Sequence, residues 1–178
     1  PTHCDSHHHI ARFPVTLRAM VRVARNFGIR AVRTNFGYYQ YLPGSGAGNR
    51  LRSFAENLRR GPRIFRWGIN HVILRYWYRM DVPDRKIVRG WIVPRHGDPG
   101  QTLIETLAAL PAGVTELSFH PGLGNPEPGV DENPAFSQTR LTDFRLTTDP
   151  LVRDVISRYK ITLVSYRYFT PDAARRGL

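Results

Sequence analysis

Cysteine is nearly absent. Cys4 is the only one in 178 residues, which excludes an intrachain disulfide framework and any zinc site built from several thiolates. Long apolar runs are absent as well. A membrane helix needs roughly 18 uncharged apolar residues, and the most apolar stretch, residues 71–80, is interrupted by Arg75 and Arg79. No membrane span is expected. Acidic residues are few, 14 against 26 basic ones, and the formal net charge is +12. Such an excess raises nucleic acid or an anionic surface as a partner. Yet only Lys86 and Lys160 are lysines, and the arginines are spread from Arg12 to Arg176. A dense basic run is missing. Its nearest substitute, Arg59, Arg60, Arg63 and Arg66 beside Trp67, reads as the solvated face of a helix. Nucleic acid is not the expected partner. Position 1 is Pro, not Met, and leads straight into a polar, histidine-rich segment unlike a signal peptide. The chain is therefore expected to be processed or to begin partway through a longer protein, and to be cytoplasmic.

What is present supports a packed domain. Hydrophobic residues make up 41% and charged residues 22%, enough for a core at this length. Residues 14–27 carry Leu17, Met20, Val21 and Ala24 at helical spacing, with Arg18, Arg22 and Arg25 elsewhere around the helix. Pro14 suits the first helical position and Gly28 the stop. Residues 29–33 read as a strand, and 42–49 (LPGSGAGN) as a glycine-rich loop without the spacing of a phosphate loop. Residues 50–80 are mostly helical, with an interruption near Gly61-Pro62. Strands are predicted at 86–93, 114–119 and 161–166, and helices at 99–110 and from Asp149-Pro150 to 159, with Asp149 as N-cap. Residues 122–139 read as a long loop. Strands alternating with helices predict a parallel sheet with right-handed crossovers, an α/β fold.

In such folds ligands sit at the carboxyl ends of the strands. Two features fall there. The first is the segment His3-Cys4-Asp5-Ser6-His7-His8-His9. If extended, it places His3, Asp5, His7 and His9 on one face, a donor set suited to a borderline divalent cation. Cys4 has the opposite parity and reads as a small buried hydrophobe. The second is His120, ahead of Pro121 and Gly122. A histidine near a metal-bound water acts as general acid or base around neutral pH, whereas one at a strand end can equally cap a turn. His71 and His96 have no constellation around them and read as structural. Tyr38, Tyr39, Tyr41 and Trp91 are candidates for stacking on sugar rings, although loop tyrosines more often serve packing.

The opening PTHCDSHHH (1–9), followed by Phe13-Pro14, a helix and GIRAVR (28–33), resembles the YdjC-like carbohydrate deacetylases, also called ChbG/HpnK deacetylases. The resemblance continues through ELSFHPG (116–122) and RLTDFRLT (140–147) to LVSY (163–166), with a divergent middle. It implies a (β/α)-barrel-like fold and a divalent metal assisting removal of an N-acetyl group from an amino sugar or oligosaccharide. In the family the metal is held by an aspartate, a histidine and the first histidine after the D-S/G pair, which matches His7. The His-Pro histidine matches His120, as general acid. Asp5 and His9 match positions that line the active site or orient metal-bound imidazoles. The family's usual metal is Mg2+, and Zn2+ would also suit such ligands. Its final motif histidine falls at Ala11, so that contact is absent here. Its Asp-Asp pair and another histidine ligand lie upstream of Pro1. Residues 1–170 are accordingly expected to be the C-terminal part of one deacetylase-like barrel, incomplete at the N-terminus and inactive alone, with 171–178 a disordered tail. Other readings are a degenerate arginine-rich module that binds anionic polymers, and a hydrolase acting on a hopanoid or lipid intermediate. The residues leave the oligomeric state open, a homo-oligomer included.

Overall fold

A computed structural model describes residues 1–6, 10–11, 13–33, 61–88, 98–123 and 134–170. The chain is α/β. Strand β1 (His3–Cys4) leads to helix α1 (Pro14–Asn26) and strand β2 (Ala31–Val32). Pro14 opens α1, where its missing N–H has no partner to lose. Leu17, Val21 and Ala24 form its buried stripe, while Arg18, Arg22 and Arg25 are exposed. Gly28 ends the turn with φ 66°, in the left-handed region that glycine enters without a Cβ clash. The α1 reading from the sequence holds.

Helix α2 (Gly61–Val72) runs into a π-helical turn (Ile73–Trp77), closed by the Tyr78 N–H donating to the Ile73 carbonyl at 2.9 Å. Gly61 and Pro62 are the first described residues of α2, and the segment 50–60 ahead of them, across which the sequence predicts an interruption, lies outside the described residues. Strand β3 (Arg85–Val88), helix α3 (Pro99–Ala108) and strand β4 (Thr115–Ser118) follow, then helices α4 (Pro134–Thr148) and α5 (Pro150–Arg158). Asp98 and Asp149 cap α3 and α5, accepting from the Gly100 and Leu151 amides at 2.9 and 2.8 Å.

Both strand pairs are parallel. His3 and Cys4 face Ala31 and Val32, and residues 85–88 face 115–118 in register. Residue Asp81 bridges to Ala31, so the chain leaving the π turn runs alongside β2. The two pairs are separate two-stranded sheets among the described residues, and two cores lie against them. One joins Leu17, Val21 and Ala24 to Val32, Leu74, Met80 and Val82. The other joins Leu103 and Leu107 of α3 to Leu146 of α4 and Val152 and Val155 of α5, with Leu117 and Phe119 packed on it.

Two sequence expectations need correction. The loop predicted for 122–139 gives way to α4 at Pro134. Helix α4 lacks a clean apolar stripe, since its described buried positions are Asp143 and Leu146, so periodicity does not announce it. The strand predicted at 161–166 is not one. Among the described residues nothing pairs with it, Leu163 is 75% exposed, and a 3₁₀ turn (Tyr166–Phe169) begins after Ser165, whose Oγ accepts from the Arg167 N–H. A β-branched composition supplies only propensity, and a strand needs a neighbour for its ladder. The glycine-rich loop, Tyr38, Tyr39, Tyr41, Trp91, His96 and the tail 171–178 lie outside the described residues. No described helix is long and apolar enough to cross a membrane.

Candidate active site at the carboxyl ends of the parallel strands

In-register partners on parallel strands project to the same face. Lys86 of β3 is paired with Glu116 of β4, and Ser118 follows on that face. Leu117, one residue off, goes to the α3–α4–α5 core. The polar face of β3–β4 thus turns away from those helices, toward the ends of β1 and β2.

There a charged cluster forms. Arg33, the first residue past β2, reaches Glu116 with Nε 2.5 Å from Oε1, an ion contact and not an aligned hydrogen bond. Its Nη1 donates to Asp5 Oδ2, at the end of β1. Lys86 Nζ lies 3.7 Å from Glu116 Oε1 and its side chain is only 3% exposed. Tyr166 donates its hydroxyl to Glu116 Oε2 at 2.6 Å, and Ser118 Oγ donates to Oε1 at 3.1 Å. The His3 ring stacks on Tyr166, with centroids 3.9 Å apart and planes 10° from parallel. Glu116 is therefore the hub, accepting from or facing four side chains.

The electrostatics follow from burial. Burial pushes the Lys86 ammonium below its ordinary pKa, with Glu116 opposing. Burial, and then the Glu116 charge, push the Tyr166 phenol far above its ordinary range, so it stays a protonated donor. For Arg33 burial acts against the charge, but Glu116 and Asp5 more than offset it and its pKa rises. His3 is held below its usual value by burial first and by Arg33 second.

At the end of β4 stands His120, exposed in its side chain and fixed in its backbone. Its N–H donates to Oδ2 of buried Asp143 on α4 at 2.8 Å, and the Gly122 N–H donates to the Arg140 carbonyl at 3.1 Å.

Of the predicted site residues, Asp5 lies in the Arg33 cluster and His120 at the end of β4. His7 and His9 lie outside the described residues. The described members of the proposed face, His3 and Asp5, do come together around Arg33. Cys4 points the other way, packs on the α1 core, and has its pKa raised by burial. His71 is buried, as its structural reading expects. Asp5 is engaged by Arg33, which suits a residue that orients others more than one that ligates. Among the described residues no three His, Cys, Asp or Glu side chains gather closely enough to hold a metal ion.

Sequence reasoning assigned no role to Arg33, Lys86, Glu116, Asp143 or Tyr166. Four of the five lie inside segments quoted for the family resemblance: Arg33 in GIRAVR, Glu116 in ELSFHPG, Asp143 in RLTDFRLT and Tyr166 in LVSY. The available signal was a charged residue at a strand position whose neighbours are apolar, as with Lys86 before Ile87-Val88.

The sequence profile of a family described as YdjC-like protein matches residues 1–158. No curated protein matches the chain. Among solved structures, a protein of Enterococcus faecalis, provisionally named a cellobiose-phosphate cleavage protein, superposes with a TM-score of 0.56 at 16% identity. The match covers 96% of this chain and 53% of that one, so the chain spans about half the length of this structural relative. At that identity the likeness is one of fold.

Proposed function

This chain belongs to the YdjC-like family, and from that premise we propose that it takes part in hydrolysing the N-acetyl group of an amino sugar or oligosaccharide. The observation that supports the reading is the family match over 1–158, in which the His-Pro pair, His120-Pro121, falls at the carboxyl end of a parallel strand. That is where α/β folds bind ligands. On this reading residues 1–170 form one barrel-type domain whose polar interior face carries Lys86, Glu116, Arg33 and Tyr166.

His120 gives a proton to the departing sugar amine, the step that turns a poor leaving group into a good one. General acids contribute roughly 10²–10⁴-fold to such a step. An exposed imidazole on an anchored backbone suits the task, since it reaches substrate while its origin stays fixed. Asp5, held by Arg33, which is in turn held by Glu116, keeps the segment leading to His7 in place. A divalent cation, Mg2+ by family resemblance or Zn2+, would take His7 as one ligand and supply Lewis-acid polarisation of the acetamide carbonyl. By family resemblance His9 would line the active site or orient a metal-bound imidazole.

The test is acetate release from N-acetylglucosamine oligomers by the natural protein, with and without added Mg2+ or Zn2+. Metal-dependent acetate release is expected. No release from any acetylated sugar, together with salt-sensitive binding of polyanions, would replace this reading with that of an arginine-rich binding module.

A further inference from the structure

We propose that Asp143 is a positioning residue for His120, and that α4 clamps the turn at residues 120–122 so that the imidazole projects from a fixed backbone. The inference rests on the reading of His120 as proton donor. Asp143 is 2% exposed. Carboxylates are seldom buried without strong hydrogen bonds, because the desolvation cost is large. Here one oxygen accepts from the His120 N–H at 2.8 Å, a charge-assisted bond stronger than a neutral one. It grips the second amide past β4. Pro121 then locks φ. At the third residue the Gly122 N–H donates to the Arg140 carbonyl, and a Cβ at 122 would stand 3.1 Å from Arg140 Nε and 3.3 Å from Arg140 Cβ. Three successive residues are thus fixed by a bond, a ring and a close approach, while the His120 side chain itself is exposed. Asp143 and Arg140 lie on one face of α4 at i and i+3 spacing, so one helix makes both contacts.

The experiment compares Asp143→Leu, Asp143→Asn, Gly122→Ala and His120→Gln in the natural protein. It measures kcat and KM for acetate release, and hydrogen exchange at the His120 amide. Misplacing a catalytic group by an ångström costs on the order of 10²-fold. Asp143→Leu is expected to lower kcat by roughly 10–100-fold, to leave KM within about threefold, and to speed exchange at residue 120. Asp143→Asn keeps an acceptor oxygen and is expected to retain kcat within about threefold and to keep the amide protected. Gly122→Ala is expected to fall between them. A merely structural aspartate would lower stability without separating the Asn from the Leu variant in kcat per folded molecule. Wild-type kcat in Asp143→Leu beside an inactive His120→Gln overturns the positioning role and leaves the His120 reading standing. Wild-type activity in His120→Gln overturns that reading instead. If Asp143→Leu does not fold, unchanged kcat and exchange in Gly122→Ala overturn the clamp.

Discussion

Glu116 is the hub of the buried charges, and replacing it with alanine is the sharpest perturbation of the sheet's polar face. The substitution strands the Lys86 ammonium, whose side chain is 3% exposed and whose contact with the Glu116 carboxylate is 3.7 Å. At an effective dielectric of about 20, a pair at that distance attracts by about 4.5 kcal/mol. Measured losses on removing one member of a buried pair are roughly 3–5 kcal/mol. Arg33 is 29% exposed and keeps Asp5, so solvent screening makes its share small. The expected destabilisation is therefore about 3 kcal/mol. With a urea m value of roughly 2 kcal/mol/M, the unfolding midpoint falls by about 1.5 M. Glu116→Gln keeps an acceptor for Tyr166 but no charge for Lys86, and should lose about half as much. Adding Lys86→Met to Glu116→Ala removes the stranded charge and should recover part of the loss. If Glu116→Ala unfolds within about 0.5 kcal/mol of wild type, or if Lys86→Met only adds damage, the cluster is not the buried ionic hub described above.

His3 and His71 are both held below the ordinary value of 6.5, by burial first and then by Arg33 and Arg75 respectively. The unfolded chain therefore takes up these protons at higher pH than the folded one, so their stabilisation is present above pH 6.5 and is lost as pH falls through their folded values. Urea midpoints should be lower at about pH 5.5 than at about pH 7.5, with a shallower slope in His71→Asn; equal midpoints would contradict this. Lys160 follows the last turn of α5 with φ 52°, so Lys160→Gly should stabilise by about 0.5–1 kcal/mol and raise Tm by about 1–4 °C. An unchanged or lower Tm would count against that backbone. His7→Ala should abolish stoichiometric binding of the divalent cation as read by elemental analysis, and unchanged stoichiometry would remove His7 from the ligand set.

The elements that were legible in the sequence are those whose burial is local. Helix α1 shows its inward stripe at Leu17, Val21 and Ala24, its proline at the start and its glycine at the end. Asp149 announces α5 by its cap. The parallel pairing followed from alternation alone. Helix α4 was hidden because what it buries is partly a carboxylate, Asp143, whose partner is a backbone amide on another element. The chain at 161–165 has strand composition, but pairing depends on a neighbour that composition does not specify. The charged cluster was invisible for a similar reason. Lys86 and Glu116 meet only once β3 and β4 lie in register, and register is a property of the folded sheet. The family resemblance quoted the segments that carry Arg33, Glu116, Asp143 and Tyr166, but only the fold brings Arg33 and Tyr166 around the Glu116 carboxylate and sets Asp143 under His120.

The measurement that bears most directly on the proposed chemistry is acetate release by the natural protein carrying His120→Gln, on N-acetylglucosamine oligomers. Glutamine keeps the bulk and hydrogen-bonding capacity of the side chain but has no proton to give the departing amine. The account predicts a fall in kcat of roughly 10²–10⁴-fold with the fold intact. Near-wild-type acetate release from the folded variant would contradict it.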